Sequence, residues 1–320
     1  MNFDILIANL TNPTLLFFVL GIVAVKVKSD LEIPAPSAKF ISLYLLFAIG
    51  FKGGTELSSS PLTMEIFWSI VAGIGLSALV PLYTFFILKR KLNIFDAGAI
   101  AAAYGSVSAV TFVAGSAFLD SQLIDFGGHM VAVMALMEAP AIIVGVILMM
   151  RHQNNKLETG NLKTTIIHSF TNGSVLLILG SLVIGILANE KQAEGIKPFT
   201  TDIFQGFLAI FLLEMGMVSG KKLSSFWNYG WFSTAFSIVI PVINGCAVAV
   251  LSGFIIEAPG NRFMLSILAA SASYIAVPAA MKLSAPKADP GLYIPMALAI
   301  TFPFNITLGM PLYLSLINLT

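Results

Sequence analysis

Gly50-Phe-Lys-Gly-Gly54-Thr-Glu-Leu57-Ser58-Ser59 is answered 166 residues later by Gly216-Met-Val-Ser-Gly220-Lys-Lys-Leu223-Ser224-Ser225. Two glycines, a leucine and a serine pair fall in register. A second match stands at an offset of 167, where Ile100-Ala-Ala-Ala-Tyr-Gly-Ser106-Val-Ser-Ala109-Val110-Thr111 meets Ile267-Leu-Ala-Ala-Ser-Ala-Ser273-Tyr-Ile-Ala276-Val277-Pro278. Two matches at nearly one offset point to an internal repeat rather than to shared apolar composition.

The sequence around these stretches is that of a membrane protein. Of 320 residues, 57% are hydrophobic and 10% charged, against about 25% charged in a soluble domain. A helix needs about 20 largely apolar residues to cross the hydrocarbon core. Ten segments qualify, at roughly 13–27, 34–53, 64–88, 94–119, 128–150, 173–189, 201–220, 227–256, 261–283 and 291–317. The predicted fold is an all-α polytopic membrane protein of ten transmembrane helices. Spans 1–5 (residues 1–151) form one five-helix repeat and spans 6–10 (residues 173–320) the other, joined by a polar cytoplasmic linker at 152–172. Five is odd, so the second copy enters from the opposite side, giving the inverted repeat used by secondary transporters.

Lysine and arginine set the expected orientation. With the N-terminus outside, thirteen basic residues fall in inside loops and four (Lys52, Lys191, Lys197 and Arg262) outside, which accounts for all 17. Both termini are therefore expected outside a cell (inner or plasma) membrane. Met1 to Asn9 carries no basic n-region, so no cleaved signal peptide is read.

Other classes find no support. A net charge of +1 gives no basic face for a nucleic acid. Cys246 is the single cysteine, so no intrachain disulfide forms. His129, His152 and His168 lack metal-ligand spacing. With no Walker A and no nucleophile motif, neither an ATP-driven pump nor an enzyme is expected. No cofactor is expected beyond a coupling sodium ion.

Spans 4 and 9 each begin apolar and run into small polar residues at mid-membrane depth: Gly105, Ser106, Ser108 and Thr111 in one, Ser271, Ser273, Tyr274 and Pro278 in the other. Such residues weaken the helical ladder, and freed backbone groups are tolerated only in a protein interior or a cavity wall. Matching interrupted segments in the two halves point to a substrate site. Half-helix N-termini attract an anion, and freed carbonyls and hydroxyls can ligate sodium. The competing reading is that serine and glycine here only permit close helix packing.

Charges inside spans are the second signal. Glu138 lies mid-span and is the preferred functional acid; Glu214 is less secure, since a partner helix can face it. Asp96 reads as an N-cap or first-turn carboxylate. Asn305 sits in a polar, kinked tenth span with Thr301, Pro303 and Thr307, placed to donate to an anion or to orient a neighbour.

At these residues the chain resembles the sodium-dependent bicarbonate transporter family, the SbtA type known from cyanobacteria. The resemblance is carried by Phe95-Asp96-Ala97, Gly105 to Thr111, Met137-Glu-Ala-Pro140, Ala270 to Pro278 and Ala288-Asp-Pro-Gly-Leu-Tyr293, and covers nearly the whole chain. It implies a gate domain from spans 1, 2, 6 and 7, a core from spans 3–5 and 8–10, an elevator-like motion, a homotrimer, and bicarbonate and sodium held where the broken helices cross. The implied binding set is Gly105, Ser106, Val107, Ser108, Thr111, Ser271, Ala272, Ser273, Tyr274, Glu138 and Asn305, with Ser106, Ser108, Thr111, Glu138 and Ser273 as sodium ligands. Family members carry Ser-Ser-Ser-Asp-Ile-Ser-Gly-Pro in the second broken helix; here Tyr274 replaces the aspartate, and Ala276 and Val277 replace two small or hydroxylated residues. Glu138 stands where those members have aspartate. The central loop is short, which leaves regulation by a PII-like partner open. The expected function is sodium-coupled uptake of a small anion, bicarbonate first. The alternatives are a sodium- or proton-coupled carrier of another small organic anion, and a non-transporting membrane sensor or scaffold.

Overall fold

The structure, a computed structural model, describes residues 3–59, 61, 63–152, 167, 171, 173–226 and 230–320. Most of the expected linker at 152–172, His168 and the start of the eighth expected span at 227 lie outside the described residues. Every regular element among the described residues is helical.

The chain opens with α1 (Phe3–Leu10), a helix the sequence reading does not assign. One turn residue later Asn12 caps α2 (Pro13–Lys26), its side chain accepting from the Thr14 N–H at 2.9 Å. Long apolar helices follow, α3 (Ala35–Ser59) and α4 (Met64–Leu88). The fourth expected span is two helices, α5 (Ile94–Gly105) and α6 (Ala109–Ser121), before α7 (His129–His152).

The second half begins with α8 (Gly173–Leu187) and a short polar helix, α9 (Glu190–Lys197), that the sequence reading also does not assign. Asn189 and Gln192 close a capping box at its start. α10 (Phe204–Phe226) and α11 (Gly230–Leu251) follow, then the ninth expected span as two pieces, α12 (Pro259–Ala269) and α13 (Ala276–Ser284). The C-terminal span, Pro290–Ile317, contains two π-helical stretches, Met296–Thr301 and Asn305–Gly309.

Seven stretches among the described residues are long and apolar enough to cross a membrane: Ala35–Ser59, Met64–Leu88, Ile94–Ser121, His129–His152, Glu190–Lys222, Gly230–Phe254 and Pro290–Ile317. This count is smaller than the ten expected for a physical reason. α2 and α8 have 14 and 15 residues, short of the ~20 that a full crossing needs, and α12 and α13 are each shorter still.

Two helix pairs make the closest approaches. α2 lies along α10, and α3 along α8. Gly21 faces Gly216 in the first pair and Gly54 faces Gly185 in the second. With no side chain between them the backbones touch, the packing mode of membrane helices rich in small residues. Beside these pairs, α4, α5 and α7 pack together, as do α11, α12 and the end of the C-terminal span. Asp96 and Asn261 then tie the two halves of the chain. Asp96 sits in the first turn of α5, as the sequence reading expects: its N–H donates to the capping Asn93 at 2.9 Å, and its carboxylate accepts from the Asp289 N–H at 2.7 Å. In the reverse direction, Asn261 at the start of α12 accepts from the Gly127 N–H at 2.7 Å.

A methyl group on Gly54 or Gly216 would meet the carbonyl oxygen of Leu182 or Phe18. Gly54→Ala and Gly216→Ala are expected to destabilise the protein by about 1–3 kcal/mol, read as a fall in melting temperature in detergent. Gly75→Ala, with nothing within 4 Å of the added carbon, should leave it unchanged.

Candidate functional site

The two broken helices cross at their interruptions, and a backbone N–H from each side holds the crossing, one bonded to a serine hydroxyl and one to a carbonyl. α5 ends at Gly105, whose close contact with Pro81 of α4 leaves no room for a side chain. Ser108 then caps α6, its Oγ accepting from the Thr111 N–H at 3.1 Å. The Ser108 N–H donates to Ser271 Oγ at 3.0 Å, and Ser271 Oγ donates in turn to the Leu268 carbonyl at 2.8 Å. In the opposite sense, the Ser273 N–H donates to the Ala103 carbonyl at 2.8 Å. Each break thus repairs part of the other's lost ladder.

A cleft of about 480 Å³ opens beside the crossing. Val107, Ser108, Ala109 and Val110 of the first break line it, with Ser273, Tyr274, Ile275 and Ala276 of the second. The N-termini of α6 and α13 therefore meet at one place. The first intrahelical bond of α6 runs from the Phe112 N–H to the Ser108 carbonyl at 3.0 Å, which leaves the N–H groups of Ala109 and Val110 ahead of the ladder. Ser273 Oγ accepts from the Val277 N–H at 3.4 Å, much as Ser108 serves α6.

Glu138 enters the same cleft from α7, one turn after Met134 and Ala135. It is 9% exposed, and among the described residues its carboxyl makes no hydrogen bond or ion pair. Ser106 lies just behind the wall, 1% exposed, and its Oγ has no partner among the described residues. Tyr274 places its ring edge-on to Phe302, centroids 6.4 Å apart, and its hydroxyl 3.8 Å from the sulfur of Met215 on α10.

The structure thus gathers Val107, Ser108, Ser273, Tyr274 and Glu138 in the cleft wall. Gly105, Ser106, Thr111, Ser271 and Ala272 are buried behind it. Asn305 is placed elsewhere: its amide donates to the Ala270 carbonyl at 2.8 Å and its oxygen accepts from the Tyr313 hydroxyl at 3.2 Å. Glu214 is half-buried on α10, outside the cleft lining.

The facing wall was not read from the sequence. Ser42 and Leu46 of α3, with Ser174 and Ile178 of α8, close the cleft. Their four-residue spacings share a helix face, but a lone serine in an apolar helix carries no sign that it faces a cavity. Nor was Tyr104 anticipated. Pro241 has no N–H, so the Ser237 carbonyl lacks its helical donor. Thr301 Oγ1 donates to that carbonyl at 2.7 Å, and the Tyr104 hydroxyl, 2.7 Å from Thr301, supplies the next hydrogen.

Ser271→Ala removes both bonds of the Ser271 hydroxyl and leaves the buried Ser108 N–H without that partner. A loss of about 1–3 kcal/mol is expected, measured as thermal unfolding in detergent. Ser121→Ala, at an exposed helix end, is the neutral control.

No match is found among curated proteins. A family model does match, over residues 13–318. That family comprises transporters and is not an enzyme class. A match across nearly the whole chain, on a helical bundle with several membrane-length apolar helices, identifies this multi-pass membrane protein as a member of the Na+-dependent bicarbonate transporter superfamily.

Proposed function

We propose that this chain takes up bicarbonate together with sodium through the cleft where the two broken helices meet. The observation that carries the reading is the convergence of two helix N-termini and one unpaired, buried carboxyl on a single small cleft. The N–H groups of Ala109 and Val110, with the positive ends of α6 and α13, suit a small planar anion. The Glu138 carboxylate, with the Ser108 and Ser273 hydroxyls beside it and Ser106 and Thr111 behind, suits a hard cation that prefers oxygen. Anion and cation in one cleft neutralise each other, which lowers the cost of holding either away from water.

On this reading the chain has the architecture that the sequence repeat suggests, ten spans in two inverted five-helix repeats. The glycine contacts support it. The α2–α10 pair joins spans 1 and 7, the α3–α8 pair joins spans 6 and 2, and exchanging the two repeats turns one pair into the other. On this reading the two pairs form a gate and the remaining helices a core that moves against it as an elevator. The cleft lies between them, with Ser42 and Ser174 on the gate side and Glu138 on the core side.

A second reading rests on Tyr274. Its phenol occupies the cleft wall where relatives of the SbtA type carry aspartate, and an aromatic hydroxyl suits a larger carboxylate. Thermal-shift titration with bicarbonate and with small organic carboxylates separates the two, and stabilisation by the carboxylates alone favours the second.

Uptake of labelled bicarbonate into proteoliposomes tests the main reading. A sodium gradient should raise uptake, and Glu138→Gln should lower it about tenfold or more, the factor expected for losing hydrogen bonds and charge contacts to a carboxylate. Ser106→Ala and Ser273→Ala should reduce it as well. Absence of uptake with and without sodium would sink the bicarbonate assignment. Normal flux in all three variants would move the site elsewhere.

A further inference from the structure

The C-terminal span has carbonyls that its own prolines leave without donors. In the stretch Met296–Thr301 the ladder shifts to i→i+5, and the Phe302 N–H bonds Ala297 rather than Leu298. The Leu298 carbonyl would then look to residue 303, which is proline and has no N–H. Ser219 of α10 supplies the missing donor, its Oγ 3.0 Å from the Leu298 oxygen.

The same logic recurs one stretch later. The Met310 N–H bonds Asn305, so the Ile306 carbonyl would look to Pro311, which cannot donate. Pro311 also stands four residues after Thr307, the helical donor position for that carbonyl. Asn9, at the end of α1, fills both vacancies: its Nδ2 lies 2.8 Å from the Ile306 oxygen and 3.1 Å from the Thr307 oxygen. Asn9 is buried, 6% exposed, and α1 joins α2 through the single non-helical pair Thr11-Asn12.

The two donors come from α1 and α10, and the three acceptor carbonyls all belong to the C-terminal span. Asn9 also stands in the wall of a second cleft of about 330 Å³, with Leu15 of α2, Leu208 and Leu212 of α10, Ala114 and Ala117 of α6, and Ile306. This cleft lies toward the first turns of α2 and α10, whereas the site cleft lies toward the first turns of α3 and α8. α2 and α3 are consecutive, so those ends are at opposite faces of the bundle.

We propose that Asn9 and Ser219 are latches that hold the C-terminal span in its present position by capping carbonyls that Pro311 and Pro303 leave open. Release of the latches lets the second cleft open while the site cleft closes. Asn9 and Ser219 act through the span and not on the transported ion, so they are positioning residues. The inference rests on the alternating movement proposed above but not on which ion moves.

The test uses single reporter cysteines in full-length protein carrying Cys246→Ser, reconstituted in nanodiscs and labelled with a water-soluble maleimide. Asn9→Ala should raise the labelling rate of an Ala117→Cys reporter in the second cleft about fivefold, the factor for one net buried hydrogen bond. It should lower the rate of a Ser42→Cys reporter in the site cleft. No change at either reporter, or a rise at both, overturns the latch, because the latter is local loosening. Pro311→Ala restores one N–H to the span, enough for one of the two carbonyls, so Asn9→Ala added to it should change labelling clearly less than it does alone, a coupling between residues that a double-mutant cycle reads directly. A full effect of Asn9→Ala in that background overturns the assignment to the vacated carbonyls. Ser219→Ala with Pro303→Ala gives the same cycle at the other latch. Labelling needs no substrate, so a failure of bicarbonate uptake leaves these outcomes readable.

Discussion

A peptide group inside a bilayer has no water to turn to. Every N–H and C=O that leaves a helical ladder must find a partner within the bundle, or several kcal/mol are lost. Among the described residues this chain leaves the ladder often, at two broken helices, at the π-helical stretches Pro198–Asp202, Met296–Thr301 and Asn305–Gly309, and at the prolines within its spans. Its polar residues are placed accordingly. Ser271 serves the Ser108 N–H, Thr301 serves the Ser237 carbonyl, Ser219 serves Leu298, and Asn305 serves Ala270. Much of the polar interior is a repair set for the backbone, and the cleft is where repair stops.

Glu138 and Asn305 show how the halves diverge. They stand 167 residues apart, the spacing that relates the two broken segments. An amide can donate, so Asn305 caps a carbonyl at the second break. A carboxylate can only accept and cannot cap a carbonyl. At the first break the corresponding carbonyl, Ala103, is met by the Ser273 backbone N–H, and Glu138 is left facing the cleft. One change from amide to carboxyl separates a group that caps the backbone from one that lines the cleft.

Much of this was legible in the sequence. The breaks fall where Gly105-Ser106 and Ser271 to Ser273 interrupt apolar runs, because loss of a ladder is a local property of residue type. Asp96 reads correctly as a first-turn carboxylate for the same reason. The cleft's far wall was not legible, since Ser42 and Ser174 meet Glu138 only through tertiary packing that no periodicity encodes. The short helices α1 and α9, of eight residues each, contain no membrane-length apolar run to mark them. Asn305 illustrates the ambiguity left in residue type: a buried amide suits an anion or a carbonyl equally, and residue type alone does not reveal its bond to the Ala270 carbonyl at 2.8 Å.

The glycine contacts at Gly21–Gly216 and Gly54–Gly185 have a mechanical meaning. Where side chains interdigitate, helices can slide by exchanging rotamers. Where main chain rests on main chain, there are no rotamers to exchange, and shear requires prising the helices apart. The α2–α10 and α3–α8 pairs are therefore stiff two-ply staves. Any compliance in the molecule is concentrated in the seams lined by side chains, and both clefts lie along those seams.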